Sequence, residues 1–365
     1  MRDSDPPSKD IAREALFRTL SDFRHLQRDC DPEWYSDENM DRVINSLNRN
    51  ASPGNPFCWV ANNGQLIDKH RELLKTLVRQ RLNGASAYPI RLFVKPEWHK
   101  KSKIEEGRYR LIWSVSVVDQ IIDKMLLGDY LDQEPDNWIF HPSKVGWSYL
   151  KGGWKYVPKG VGTDFSAWDM TAQQWLLDLL CEFYINQHRN PTAYWISWVR
   201  RRFGELYHGG ALVQLSDGTL LEQLFGGIQK SGTLYTLSGN SIMQVILHHV
   251  ICLSLNYDSV PWLWVLGDDR LQERVDKEYA DALKRWVVLK DISYNEFCGM
   301  HYGSTIEPAY RSKHLLNLAA DPTPERLMSY QLLYRHSKFY PALVRFIRSL
   351  NVQPAHEIWV DEVWG

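Results

Sequence analysis

Residues 262–273, WLWVLGDDRLQE, set apolar flanks around a central Gly-Asp-Asp, a pattern that predicts two short strands meeting at a tight turn. Two adjacent aspartates on a rigid turn each raise the cost of ionising the other, so the pair needs a reason. A solvated turn, a platform for a cation and chance all fit the tripeptide taken alone. A cation platform needs help from elsewhere in the chain, because Mg2+ is held by one or two carboxylates together with substrate phosphates.

A second element supplies candidates. KGVGTDFSAWDMTAQQWLLDLLCEFYINQ, residues 159–187, reads as strand, turn and helix, with Trp175, Leu176, Leu179, Leu180 and Phe183 at helical spacing after a polar entry at Asp169 and Thr171. Asp164 ends the predicted strand and Asp169 opens the helix. A strand-end aspartate beside a hairpin-tip pair is the arrangement that two-metal phosphoryl transfer requires. The plainer alternative is a solvated residue and a helix cap. KSGTLYTLSGN, residues 230–240, adds Ser231, Gly232, Thr236 and Asn240, and the last two stand four apart, on one face of a helix. Hydroxyl, amide and carboxylate groups together suit a sugar 2′-OH, which both donates and accepts, although Ser231 and Thr236 also fit as helix caps.

The chain has 365 residues, 44% of them hydrophobic, enough for one large multi-lobed domain or two domains. A formal net charge of −1 argues against attraction of nucleic acid by the overall field, so a polyanion must be met by a local patch. Residues 91–110 offer one: Arg91, Lys95, Lys100, Lys101, Lys103, Arg108 and Arg110 stand against Glu97, Glu105 and Glu106, in two short strands around a charged middle. Arg110, between Tyr109 and Leu111, is expected within a strand. The five cysteines (Cys30, Cys58, Cys181, Cys252, Cys298) are scattered without metal-like spacing, which fits a reducing setting. MRDSDPPSKDIAREALF lacks the apolar stretch of a secretory signal, and SIMQVILHHVICLSL is interrupted by His248 and His249, so no intrinsic membrane span is expected. Those two histidines, and most of the 16 tryptophans, are expected in the core.

The region before residue 90 reads as helices joined by polar loops, with NRNASPGNPF (48–57) a loop. VVDQIIDKMLLGDYL reads as an amphipathic helix, ALVQLSDGTLLEQ as a hairpin, VDKEYADALKRWVVLKDISY as helix then strand, and the last sixty residues as mostly helical. Strands and helices alternate without βαβ regularity, so the expected class is α+β, a sheet with helices on one side.

In this order the motifs resemble the RNA-dependent RNA polymerases of positive-strand RNA viruses: D-x4-D at Asp164 and Asp169, S-G-x3-T-x3-N from Ser231 to Asn240, and G-D-D at 267–269, with the basic segment upstream. KKSKIEEGRYRLIWSVSVVDQ, LSDGTL, IQKSGTLYT and NEFCGMHY look most like the sobemovirus, polerovirus and barnavirus-like lineage, over about residues 50–305. The resemblance implies a right hand whose antiparallel palm sheet is backed by helices. Fingers would span 1–158, with a template loop near 52–54 and a basic nucleotide channel at 91–112. The palm would span 159–304, with a fingers insertion near 190–230, and a short helical thumb would span 305–365. It further implies Asp164 and Asp268 as ligands of two Mg2+ or Mn2+ ions, with Asp269 secondary. Asp169 and Asn240, helped by Ser231, Gly232 or Thr236, would read the ribose, and Lys95 and Arg110 would contact the triphosphate. Ser52 and Gly54 would guide the template, Phe297 and Cys298 would grip the primer, and Lys290 would protonate departing pyrophosphate. The implied partners are rNTPs, an RNA template with an RNA or protein primer, and other viral replication proteins. The implied setting is the host cytoplasm, at membrane-associated replication complexes reached through partners. Gly152, Gly153 and Trp154 depart from the family pattern and receive no role. A reverse transcriptase shares the aspartates but places a bulky aromatic against the 2′-OH, where this chain has Asp169 and Asn240. An inactive palm-fold scaffold would have no use for the intact aspartates.

Overall fold

The structure, a computed structural model, describes residues 5–98 and 101–365; of the basic segment, Lys100 lies outside the described residues. At the centre runs the helix Thr236–Ser254, buried on all sides from Ser238 to Cys252. A helix apolar all round has no solvent face to present, and this one is long and apolar enough to cross a bilayer. Here it is a core helix instead, packed against the helices Lys9–Asp22 and Gln174–Gln187 and the strand Leu263–Leu266. His248 and His249 do not interrupt it. His248 bonds the Tyr279 hydroxyl at 2.7 Å and the Pro261 carbonyl at 2.9 Å, and His249 bonds Asp22 at 2.8 Å.

Beside this helix lies a four-stranded sheet in the order Leu289–Tyr294, Val161–Phe165, Asp269–Gln272, Leu263–Leu266, with every neighbour antiparallel. Its two sides differ in character. Val265 and Arg270 form a cross-strand pair on one side, where Arg270 reaches His248 of the core helix at 3.1 Å. Trp264 and Leu271 pair on the other and join Trp147, Trp262 and Phe297 in a second apolar cluster. The hairpin is therefore anchored from both faces. All five cysteines are free thiols.

A second sheet runs Leu111–Ser114, Ile90–Val94, Leu212–Gln214, Leu220–Glu222. The charged middle between its first two strands forms a short helix, Lys101–Glu105. Arg110 falls just before the strand that starts at Leu111, contrary to the expectation, although its carbonyl still accepts a hydrogen bond from the Lys95 amide at 2.8 Å. The helix Val117–Gln133 is buried on most positions rather than amphipathic. It meets its neighbours through a buried ionic network. Arg202 grips Asp123 with two bonds of 2.7 and 3.1 Å, Arg81 bonds Asp119 at 2.8 Å, and both arginines bond Glu205.

The C-terminal helices Arg311–Ala320, Pro324–Leu333 and Tyr340–Ser349 have an apolar cluster of their own. The last helix, Glu357–Trp364, docks onto the segment that received no role from sequence. The Lys151 amide bonds the Val363 carbonyl at 2.8 Å, and the Trp364 ring lies 5.1 Å from Tyr149 and 6.4 Å from Trp154. The double glycine has a steric reason, because a Cβ on Gly153 would stand 1.9 Å from the Ser148 carbonyl oxygen. Residues 152–154 are a docking platform for the C-terminal helix.

Candidate active site

Register gathers the acidic residues. Thr163 pairs with Arg270 and Gly162 with Leu271, so the next pair along is Asp164 with Asp269, both on the sheet face that carries Leu271. The turn is a two-residue loop, Gly267-Asp268, closed by the pair Leu266 and Asp269. Gly267 has φ +63°, the left-handed value that the first loop position of such a turn demands and that a side chain resists.

The core helix holds this turn by its backbone. Ser241 accepts a 2.8 Å hydrogen bond from the Gly267 amide, and Gln244 donates one of 2.7 Å to the Gly267 carbonyl. Both residues are fully buried, and neither was among the residues singled out from sequence. The available signal was their polarity inside an otherwise apolar helix, where an unpartnered polar group would be costly.

Among the described residues no three acidic, histidine or cysteine side chains converge into a closed cage. The carboxylates nevertheless crowd one another. Asp269 opens to solvent at the turn end of its strand, yet the protein packed around its carboxyl, and then the charges of Asp268, Asp164 and Glu296, push its pKa up to about 7. An ammonium has already been drawn in: Lys290 donates a hydrogen bond to Asp164 Oδ2. Lys290 is the extra residue of a β-bulge, since Leu289 pairs with Phe165 and Asp291 with Asp164, neighbours on the facing strand. A bulge re-aims the side chain that it inserts. This donor set suits a dication that takes one or two carboxylates and completes its shell from phosphate and water.

The raised pKa has a stability consequence. The folded state binds the Asp269 proton more tightly than the unfolded chain, so ionisation costs stability as pH rises from about 4 to about 7, and below that window the cost vanishes. Asp269→Asn is therefore expected to raise the melting temperature of metal-free protein at pH 8 and leave it unchanged at pH 4. Solvent access at Asp269 keeps the gain to about 1 kcal/mol. Calorimetry in EDTA at the two pH values checks it, and equal differences at both would contradict the coupling.

Asp169 does not cap the long helix. It sits in the one-turn helix Trp168–Thr171, and the helix Gln174–Gln187 starts after Gln173 with no side-chain cap. Its carboxylate accepts a 3.1 Å hydrogen bond from Asn240 Nδ2. Burial, and secondarily the charge of Asp268, raise its pKa to about 6, against the opposing influence of Asn240 and Arg110. Thr236 does not join Asn240: its hydroxyl donates back to the loop carbonyls of Lys230 and Thr233, each at 3.0 Å. Ser231 is exposed, and Gly232 lies so close to the Trp113 carbonyl oxygen that a Cβ would stand 1.8 Å from it.

Lys95 and Arg110 share one partner, Glu97, at 3.2 and 2.9 Å. Ser52 is exposed, whereas Gly54 is buried with φ +65°, its would-be Cβ 3.0 Å from the Val115 carbonyl oxygen. Phe297 and Cys298 do form a hairpin, turning at Cys298-Gly299 with both φ positive. The primer-gripping expectation for Phe297 needs correction, because its ring is 1% exposed and packed 5.4 Å from Trp147 and 5.9 Å from Trp264. Cys298 is partly exposed, and its thiol pKa is raised by burial and by Asp269 and Asp268.

The model of the viral RNA-dependent RNA polymerase family matches residues 3–289. The chain belongs to that family. Among its relatives, the replicase polyprotein P2AB of Southern bean mosaic virus (isolate Bean/United States/Arkansas) is 32% identical over 263 residues, which cover 63% of this chain and 26% of the relative. Protein P1-P2 of Turnip yellows virus (isolate FL-1) is 30% identical over 277 residues, 68% of this chain and 24% of the relative. Protein P1-P2 of Pea enation mosaic virus-1 (strain WSG) is 27% identical over 377 aligned positions, 87% of this chain and 30% of the relative. The matches thus cover 24–30% of these three relatives.

Proposed function

We propose that the chain synthesises RNA on an RNA template for a positive-strand RNA virus, joining rNTPs by two-metal nucleotidyl transfer. The observation that supports this best is one sheet face carrying Asp164 and Asp269, a turn carrying Asp268, and the Asp169–Asn240 bond beside them. In this reading residues 1–158 are fingers, 159–304 the palm with a fingers insertion near 190–230, and 305–365 a short helical thumb. The antiparallel sheet is the palm sheet, backed by its helices.

Two Mg2+ or Mn2+ ions would be held by Asp164 and Asp268, with Asp269 secondary, and when bound they would favour ionisation of the primer 3′-OH and offset the charge of the leaving pyrophosphate. The remaining work belongs to side chains. Lys95 and Arg110 exchange Glu97 for the triphosphate, Arg as a planar fork and Lys as a point charge. Asn240, oriented by Asp169, offers its amide to the ribose 2′-OH, with Ser231 exposed in the loop before the core helix. Lys290 exchanges Asp164 for pyrophosphate and donates its proton there. Ser52, Gly54 and Cys298 border the template and primer path. Base pairing reads the template, so a near-neutral protein suffices. Partners of this reading are RNA template, an RNA or protein primer and other viral replication proteins, in the host cytoplasm at membrane-associated complexes.

The test is a competition between each rNTP and its dNTP in primer extension on RNA. The reading expects rNTP preference of about a hundredfold or more, since a site built to hydrogen-bond a hydroxyl can reject the analogue lacking it by about 10⁴-fold. Preference for dNTPs would replace it with a reverse transcriptase.

A further inference from the structure

Lys230 lies in the loop between the second-sheet hairpin and the core helix, and its side chain is fully buried. Its ammonium donates to the Gln223 side-chain carbonyl, to the Ile228 carbonyl at 3.0 Å and to the Gly227 carbonyl at 3.4 Å. It stands 5.3 Å from the Trp113 ring and 5.7 Å from the Tyr207 ring. No carboxylate pairs with it among the described residues, and burial brings its pKa down to about 7. A buried cation among neutral acceptors is a costly choice where an apolar side chain of the same length would fill the space.

The loop that it ties is strained. Ile228 has φ +63°, a left-handed value that a β-branched residue strongly resists and that the surroundings must enforce. The same loop holds Asp169, which bonds Asn240 in turn, and carries Ser231. The Gln229 amide bonds the Asp169 carbonyl at 2.8 Å, the Lys230 carbonyl accepts the Thr236 hydroxyl, and Ser231 follows directly. Gly227 and Gly232 let the loop backbone pass close to its neighbours, since a Cβ on either would stand 2.6 Å from the Ala172 carbonyl oxygen or 1.8 Å from the Trp113 one.

We propose that Lys230 is a positioning residue for ribose recognition: its ammonium clamps the strained loop 226–232 onto the Gln223 side chain, and so fixes where Asp169, Ser231 and Asn240 meet the nucleotide. This rests on the reading of Asp169 and Asn240 as ribose readers. Lys230 touches no substrate. Its loss lets Ile228 relax and moves the ribose contacts without moving the aspartates on the sheet.

The test uses Lys230→Met, Gln223→Leu and the double variant in the full chain, with Ile347→Ala in the C-terminal cluster as a control that loses stability far from the loop. Affinities for ATP and 2′-dATP come from displacement of a fluorescent ATP analogue, and kcat and KM from RNA primer extension. Lys230→Met is expected to weaken ATP binding about tenfold while 2′-dATP binding changes less than about twofold, with a matching rise in KM and kcat within about threefold, the signature of lost binding rather than lost chemistry. Gln223→Leu should shift the ATP to 2′-dATP ratio in the same direction, and the double variant should add little. A ratio unchanged in Lys230→Met while its melting temperature falls, as in Ile347→Ala, would leave Lys230 a merely structural residue and overturn the proposal. Should Lys230→Met fail to fold, an unchanged ratio in Gln223→Leu overturns it equally. Equal wild-type affinity for ATP and 2′-dATP is a distinct outcome, which removes the ribose reading first and the proposal with it.

Discussion

Asp268→Ala is expected to reduce RNA synthesis about a thousandfold or more, equivalent to roughly 4 kcal/mol of lost transition-state stabilisation. Asp269→Ala should cost less, on the order of tenfold to a hundredfold. The asymmetry follows from position. Asp268 is the second residue of the turn, clamped through Gly267 by Ser241 and Gln244, whereas Asp269 begins the outgoing strand and carries the raised pKa. Single-nucleotide incorporation by the two variants, with thermal melts confirming that both fold, measures it. Equal tolerance of the two substitutions would undo the assignment of roles.

Arg202→Ala is expected to destabilise the fold by about 3–5 kcal/mol, because it strips the partner from carboxylates that cannot return to water. Arg202 is 2% exposed and makes two bonds to Asp123, itself 1% exposed, and among the described residues no other cation bonds that carboxylate once the guanidinium is gone. Asp119 keeps Arg81, so the loss should concentrate at Asp123. Urea unfolding followed by tryptophan fluorescence reads the change, and a shift below about 1 kcal/mol would mean that water reaches the network.

The two expectations differ in how far the sequence announced them. The Gly-Asp-Asp hairpin was legible because its constraints are local: apolar flanks, a glycine at a turn, and strands of four residues on each side. Asp164 was legible near a strand end for the same reason, one residue before Phe165 closes that strand. The Arg202 network was not, since its partners lie 79 residues away at Asp123 and only tertiary packing joins them. Lys290 shows the intermediate case. Its strand was expected, but its bond to Asp164 depends on a bulge that shifts the pairing by one residue, and periodicity carries no mark of a bulge.

Other differences have similar causes. Thr236 and Asn240 share a helical face, yet the Thr236 hydroxyl turns back to the loop before it, a competition for backbone acceptors that helix spacing alone does not register. Phe297 belongs to a hairpin, but alternation along the strand decides its side, and that side is the core. Gly152–Trp154 carried no family signal because its purpose is to receive the helix Glu357–Trp364, a contact across some 200 residues of chain. Ser241 and Gln244 belong to no local motif, and they hold the turn from the core helix.

The measurement that bears most directly on the central claim is extension of a labelled RNA primer annealed to an RNA template, by purified protein with rNTPs and Mg2+. The account predicts template-directed addition of ribonucleotides that EDTA stops and Asp268→Ala abolishes. Protein that folds and binds RNA yet adds no nucleotide with Mg2+ or Mn2+ would contradict it.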